Sequence, residues 1–284
     1  MSESSAVVGK PVPKLDAVKL ATGKAEFLDD IKLPGALAVK LLGSRCAHAR
    51  IKRIDVSKAE KLPGVRGVVT YKDAPRVAYN PGVYYLQPKD KYIFDEKVRY
   101  FGEPVAAVAA VDEDTAEEAA SLIEVEYEEL PAVLDPEQAM RPEAPKIHET
   151  NIAAHVFREW GDVEKGFRDS DHVFEGRYTT GRQVHAAIEP HACAASYDAG
   201  KLTIWTTSQI PFHVRSILSE VFGLPQNRIR VITSFVGGGF GGKDEVVIEP
   251  ICALLAIKVG GAVKLRLTRE EVFRTTTTRH PSIV

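Results

Sequence analysis

The chain has 284 residues, 44% hydrophobic and 27% charged, with 37 basic side chains against 39 acidic ones and a net charge of -2. That supplies a buried core for one large domain or two ordinary ones, and gives no electrostatic reason to attract nucleic acid or an anionic membrane. No stretch approaches the roughly 20 apolar residues that span a bilayer. Met1–Lys10 lacks an apolar run of signal-peptide length. Three cysteines, Cys46, Cys193 and Cys252, lie far apart, with no CxxC pair for zinc or an iron–sulfur cluster. Sparse thiols suit a reducing cytoplasm, and any redox electrons would leave through another polypeptide.

In chain order, Ala38–Leu42 and Gly67–Tyr71 read as strands, with Pro63-Gly64 marking a turn. Glu103–Val111 is a continuous small-apolar run, as expected of a strand buried on both faces. Asp112 caps a helix in which Ala116, Ala119, Ala120 and Ile123 recur at helical spacing. Ile123, Val125 and Tyr127 then alternate with glutamates, which predicts a half-buried strand with its acids in solvent. The prolines of 131–155 predict a surface linker between two globular halves.

Beyond the linker, Ala192–Tyr197 and Leu202–Thr207 flank Asp198-Ala199-Gly200 as a hairpin. Phe212–Phe222 is predicted helical with Gly223 as its stop. Ile229–Val236 is predicted as a strand, Glu249–Val259 as a helix with Pro250 in its first turn, and Val263, Leu265 and Leu267 as a last strand. Thr275–Thr278 suggests a strand or loop, and Trp160 and Phe167 are assigned to the core.

Between strand and helix stands FVGGGFGGKD, Phe235–Asp244, with five glycines in six positions. Such backbone takes positive φ and brings its N–H groups close to a phosphate, with a helix N-terminus and Lys243 adding positive charge. Gly237, Gly239 and Gly242 also satisfy G-x-G-x-x-G, so a Rossmann dinucleotide site stays open beside a structural turn. A Walker A reading fails because Asp244 stands where a magnesium-binding Ser or Thr is required. His185, Glu189 and His191 could be imagined as metal ligands, but their spacing fits no helical zinc motif, and buried hydrogen-bonded roles are preferred.

The GGGFGGKD turn, with Thr206-Thr207-Ser208-Gln209 upstream, resembles the molybdenum-binding subunits of the xanthine dehydrogenase and aldehyde oxidase family. VKLATGKAEFLDDI (Val18–Ile31), SRCAHARI (Ser44–Ile51) and LPGVRGVVTYKDAP (Leu62–Pro75) resemble its α/β hammerhead domain. QVHAAIEP (Gln183–Pro190), WTTSQIP (Trp205–Pro211) and Thr268–Pro281 resemble its first cofactor-binding domain. The resemblance implies an α+β fold, with a hammerhead over 15–135 and the leading part of a molybdopterin-binding domain over 150–284.

It also implies a molybdenum hydroxylase acting on an N-heterocycle such as a purine, or on an aldehyde, with water as the oxygen source. The molybdopterin would be of cytosine dinucleotide form, with [2Fe–2S] clusters and FAD on iron–sulfur and FAD partner subunits. By position, Gln209 resembles the glutamine that hydrogen-bonds a molybdenum ligand. Gly238, Gly239, Phe240, Gly241 and Gly242 match the cofactor-binding loop. Asp244 stands where a substrate-binding glutamate often lies, one methylene shorter. The family's substrate arginine, second cofactor loop and glutamate base fall beyond this sequence, so the resemblance implies either a partner chain carrying the C-terminal part of the subunit or a longer polypeptide of which this is a fragment. A non-catalytic cofactor-docking half-subunit and a nicotinamide dehydrogenase are the alternatives.

Overall fold

The computed structural model of the chain describes residues 7–83 and 88–284, so Met1–Ala6 of the N-terminal reading lie outside it. The first stretch carries α1 (Ala17–Ala21), β1 (Leu37–Gly43), β2 (Ala49–Asp55), α2 (Ser57–Lys61) and β3 (Val65–Thr70). It continues with β4 (Lys97–Val98), β5 (Pro104–Ala110), α3 (Glu113–Ser121), β6 (Glu124–Glu129) and α4 (Pro136–Ala139). After it come α5 (Val163–Asp169), β7 (Thr179–Thr180), β8 (Ala192–Asp198), β9 (Lys201–Thr206) and α6 (Pro211–Phe222). The chain ends with β10 (Ile229–Thr233), α7 (Glu249–Val259), β11 (Ala262–Arg266), α8 (Arg269–Thr275) and β12 (Ser282–Ile283).

The two stretches share one sheet. Its seven strands run in the order β10-β9-β8-β11-β1-β5-β3. β1 and β11, one from each stretch, pair in parallel through Leu37–Val263 and Ala38–Lys264. β9 and β10 are also parallel and the remaining neighbours antiparallel, so the sheet is mixed. A second, three-stranded sheet takes the order β4-β2-β6. The predicted strand–helix–strand unit therefore crosses between sheets: β5 belongs to the large one and β6 to the small one.

β5 shows why small side chains recur there. Ala107 and Ala109 face the core packed by α6 and α7, whereas Ala106 and Val108 face the core against α3. Alternation along one strand thus serves two apolar layers. The larger core joins Val39 and Val69 to Ile204, Leu218, Leu255 and Leu265, so neither stretch closes it alone. Asp112 caps α3 by accepting from the Thr115 amide at 2.8 Å, and Gly223 ends α6 at φ 63°. α7 is buried from Glu249 through Ala256, which explains its apolar residues on every side.

Two expectations are corrected. Trp160 and Phe167 are 82% and 57% exposed rather than in the core, because 152–183 is exposed throughout. Thr275 closes helix α8 rather than lying in a strand or loop, while Thr276–Thr278 do form a loop. A capping box between Thr268 and Glu271 starts that helix, and the Thr275 hydroxyl donates back to the Glu271 carbonyl at 2.8 Å.

Candidate cofactor site

β9 delivers the site's first segment. After Thr206, Thr207 turns back onto β8, its amide donating to the Ala192 carbonyl at 3.2 Å. The Gln209 amide donates to the Lys243 carbonyl at 3.0 Å, and the Lys243 amide returns to Gln209 Oε1 at 3.3 Å. Pro211 then starts α6 immediately. The Thr207–Gln209 strip and the glycine loop are thereby laced together, with Gln209 itself exposed at the surface.

The loop departs from the expected strand–turn–helix. β10 ends at Thr233, and α7 begins only at Glu249. The helix start is closed to outside anions, because Glu249 is buried and its own Oε2 accepts the Val247 and Ile248 amides at 3.0 and 3.2 Å. Lys243 is not a free charge either. Its side chain is 1% exposed, with Nζ paired to Glu189 Oε2 at 2.9 Å. Burial pulls its pKa down, against the opposing pull of the Glu189 carboxylate. Both charges assigned to the phosphate from sequence serve the protein's interior. No helix follows the turn directly, so the Rossmann arrangement is not formed.

Beneath the loop lies a polar bed. Glu189 Oε2 also accepts the Gly237 amide at 2.7 Å, and the Glu189 amide donates to the Gly237 carbonyl at 3.1 Å. At the other end, His191 Nε2 lies 2.9 Å from the Gly242 carbonyl. A carbonyl only accepts, so Nε2 carries the proton. Burial lowers the His191 pKa to about 4, which keeps the ring neutral at pH 7 despite its bond to Gly242. Glu189 and His191 clamp the two ends of the turn; sequence spacing alone gave them no such place. Among the described residues, no group of three or more His, Cys, Asp or Glu could hold a metal ion.

Packing on this bed explains three glycines. A Cβ on Gly237 would come within 2.5 Å of Glu189 Cβ, one on Gly239 within 2.2 Å of Gln209 Oε1, and one on Gly242 within 2.7 Å of His185. Gly238 and Gly241 are required for a different reason, φ values of 98° and 83°. Phe240 holds a positive φ of 55° as well, with its ring 75% exposed. Among the described residues, the amides of Gly238, Gly239, Phe240 and Gly241 have no hydrogen-bond acceptor in the chain. A Cβ at Gly241 meets nothing nearer than Asp244 Oδ2 at 3.9 Å, so the ground above it is open. Four consecutive unpaired donors beside open space fit an oxyanion such as a phosphate. The structure brings Gln209, Gly238–Gly242 and Asp244 together at one end of the large sheet.

Fold and site define a mixed-sheet protein that presents a run of unpaired main-chain amides beside open space. Residues 22–131 match the aldehyde oxidase and xanthine dehydrogenase a/b hammerhead domain, and residues 146–284 match the molybdopterin cofactor-binding domain. A probable xanthine dehydrogenase component of Bacillus subtilis (strain 168) is 42% identical over 92% of this chain and 35% of its own. The nicotinate dehydrogenase large molybdopterin subunit of Eubacterium barkeri is 36% identical over 99% of this chain and 66% of its own. Among solved structures, quinoline 2-oxidoreductase from Pseudomonas putida 86 superposes with a TM-score of 0.83 at 32% identity, over 96% of this chain and 36% of that one. The chain belongs to the xanthine dehydrogenase and aldehyde oxidase family, as part of a molybdenum-cofactor-binding large subunit. It spans about a third of the length of most of these relatives. Among the described residues, no helix is long and apolar enough to cross a membrane.

Proposed function

We propose that this chain is the front portion of the molybdenum-binding subunit of a cytoplasmic hydroxylase that oxidises an N-heterocycle or an aldehyde with oxygen from water. The observation that carries the reading is the run of unpaired amides at 238–241, held beside the Gln209 carboxamide. Relatives named for xanthine, hypoxanthine and nicotinate favour the N-heterocycle side.

In this reading the loop amides bind the phosphate of a molybdopterin in cytosine dinucleotide form, and the group supplies the two-electron chemistry when bound. Gln209 orients the metal's ligands through its carboxamide, which the Lys243 amide holds in place. Phe240 and Gly241 would offer their unpaired backbone amides to the cofactor. Asp244 has no hydrogen-bond or ion-pair partner for its carboxylate among the described residues, which leaves it free to accept from a ring N–H of the substrate. Its reach is a methylene less than a glutamate's, which suits a substrate seated closer to the loop. The general base and substrate arginine come from the rest of the subunit, and electrons leave to partner chains carrying [2Fe–2S] clusters and FAD.

Gln209→Ala and Gly241→Val test these roles separately in the purified assembly. Gln209→Ala retains molybdenum and turns over at least about tenfold more slowly. Gly241→Val loses molybdenum, since it strains a backbone at φ 83° and projects a side chain over the open ground. Wild-type turnover in the first, or full metal occupancy in the second, removes that residue from the site.

A further inference from the structure

The side chains that clamp the glycine loop leave part of their bonding capacity unused. Glu189 accepts from the Gly237 amide and from the Lys243 ammonium through Oε2 alone. Its other oxygen, Oε1, is shut off from solvent and has no hydrogen-bond partner among the described residues. His191 is in the same position. Its Nε2 donates to the Gly242 carbonyl, while Nδ1 is buried without a partner. With the proton on Nε2, Nδ1 is an acceptor. The Lys243 ammonium carries three N–H donors, and among the described residues Glu189 is the one acceptor they meet. That side chain is 1% exposed, so bulk solvent does not take up the remaining donors. Two acceptors and at least one donor are left over together. Such a remainder is uncommon in a protein interior, because each stranded group has lost its bonds to water without replacing them.

The three residues also share a cavity. It lies between the glycine loop, the 184–191 stretch that leads into β8, and the buried Val272 of α8. Glu189, His191 and Lys243 line its wall together with Gly239 and Gly242. Its volume is about 10 Å³, room for a single water molecule and for no larger ligand. Charge selects the occupant further. A cation would stand beside the Lys243 ammonium, on which the Arg269 guanidinium also acts. An anion would face the Glu189 carboxylate. A small neutral molecule with two donors and a lone pair matches the two acceptors and the donor.

We propose that this cavity is a built site for one water molecule, which donates to Glu189 Oε1 and His191 Nδ1 and accepts from Lys243 Nζ. Three hydrogen bonds are the usual complement of an interior water. The water joins two clamps that the chain leaves separate, since Glu189 holds the Gly237 end of the turn and His191 the Gly242 end. A continuous run of hydrogen bonds then passes behind the loop from one end to the other. It fixes the outward amides of 238–241 from the interior side, whatever anion they hold.

A diffraction structure of the native assembly, at a resolution that shows ordered solvent, tests the site. The expected result is one peak of oxygen weight, about 2.6–3.2 Å from Glu189 Oε1, His191 Nδ1 and Lys243 Nζ. A bare cavity, or a peak with the weight or anomalous signal of an ion, overturns the proposal. Val272→Ile, which adds a methylene at the cavity wall, gives a second reading by thermal unfolding of the same assembly. Filling evicts the water and strands its three partners, so Tm is expected to fall by a few degrees. An unchanged or higher Tm overturns the proposal, because only a dry void gains from being filled.

Discussion

Glu189 accepts from the Gly237 amide and from Lys243 through the same oxygen. Its removal strands a buried ammonium and unties one end of the glycine loop together. Glu189→Ala is therefore expected to lose about 3 kcal/mol of stability, the usual cost of leaving one member of a buried pair uncompensated. Adding Lys243→Met to that variant is expected to restore most of it. Urea unfolding of the three proteins decides, and a single variant as stable as the parent contradicts the pairing. His191 contributes a pH dependence of its own. Its native pKa of about 4 lies below the ordinary imidazole value, so between about pH 6.5 and 4 the unfolded chain binds a proton that the native chain refuses. This contribution is fully present above about pH 6.5 and is lost as pH falls toward 4. In His191→Gln the stability difference between about pH 7 and pH 5 shrinks by on the order of 1–2 kcal/mol. An unchanged difference contradicts the buried, neutral ring.

The β8–β9 hairpin turns on Ala199 and Gly200 at φ 46° and 75°. Glycine at the second position was legible as a turn residue, but alanine at positive φ is strained and invisible in a hydrophobic pattern. Ala199→Gly is expected to stabilise the protein by about 0.5–1 kcal/mol, read as a rise in Tm. A lower Tm contradicts the strain. Elements with a clear local signal were legible: β5 from its continuous small-apolar run, α3 from the Asp112 cap, and α6 from its apolar face and the Gly223 stop. α8 was missed because a run of threonines looks β-compatible, although Thr268 and Glu271 spell its start. At the site, the family resemblance pointed to the glycine loop and Gln209, which the structure places side by side. The fates of Lys243 and the α7 start were not legible, because only the fold shows that Glu189 and Glu249 already occupy them. Trp160 and Phe167 failed for the opposite reason: hydrophobicity says that a side chain is to be covered, not whether its own chain covers it.

At the scale of the whole molecule, the proline-rich 131–155 links two stretches that share a single sheet through β1 and β11, with one core drawing on both. The hammerhead and cofactor-binding regions are continuous in structure although they match separate family domains. That continuity fixes the β9–α6 junction and the glycine loop against a rigid sheet, which is what amides must have to grip a phosphate without reorganising. The proposed occupant of this grip is a molybdenum-bearing pterin. Its most direct test is elemental analysis of the intact assembly purified from its native cells. Close to one molybdenum per copy of this chain is expected, released together with a pterin on denaturation; a complete assembly free of molybdenum and tungsten would contradict that occupant.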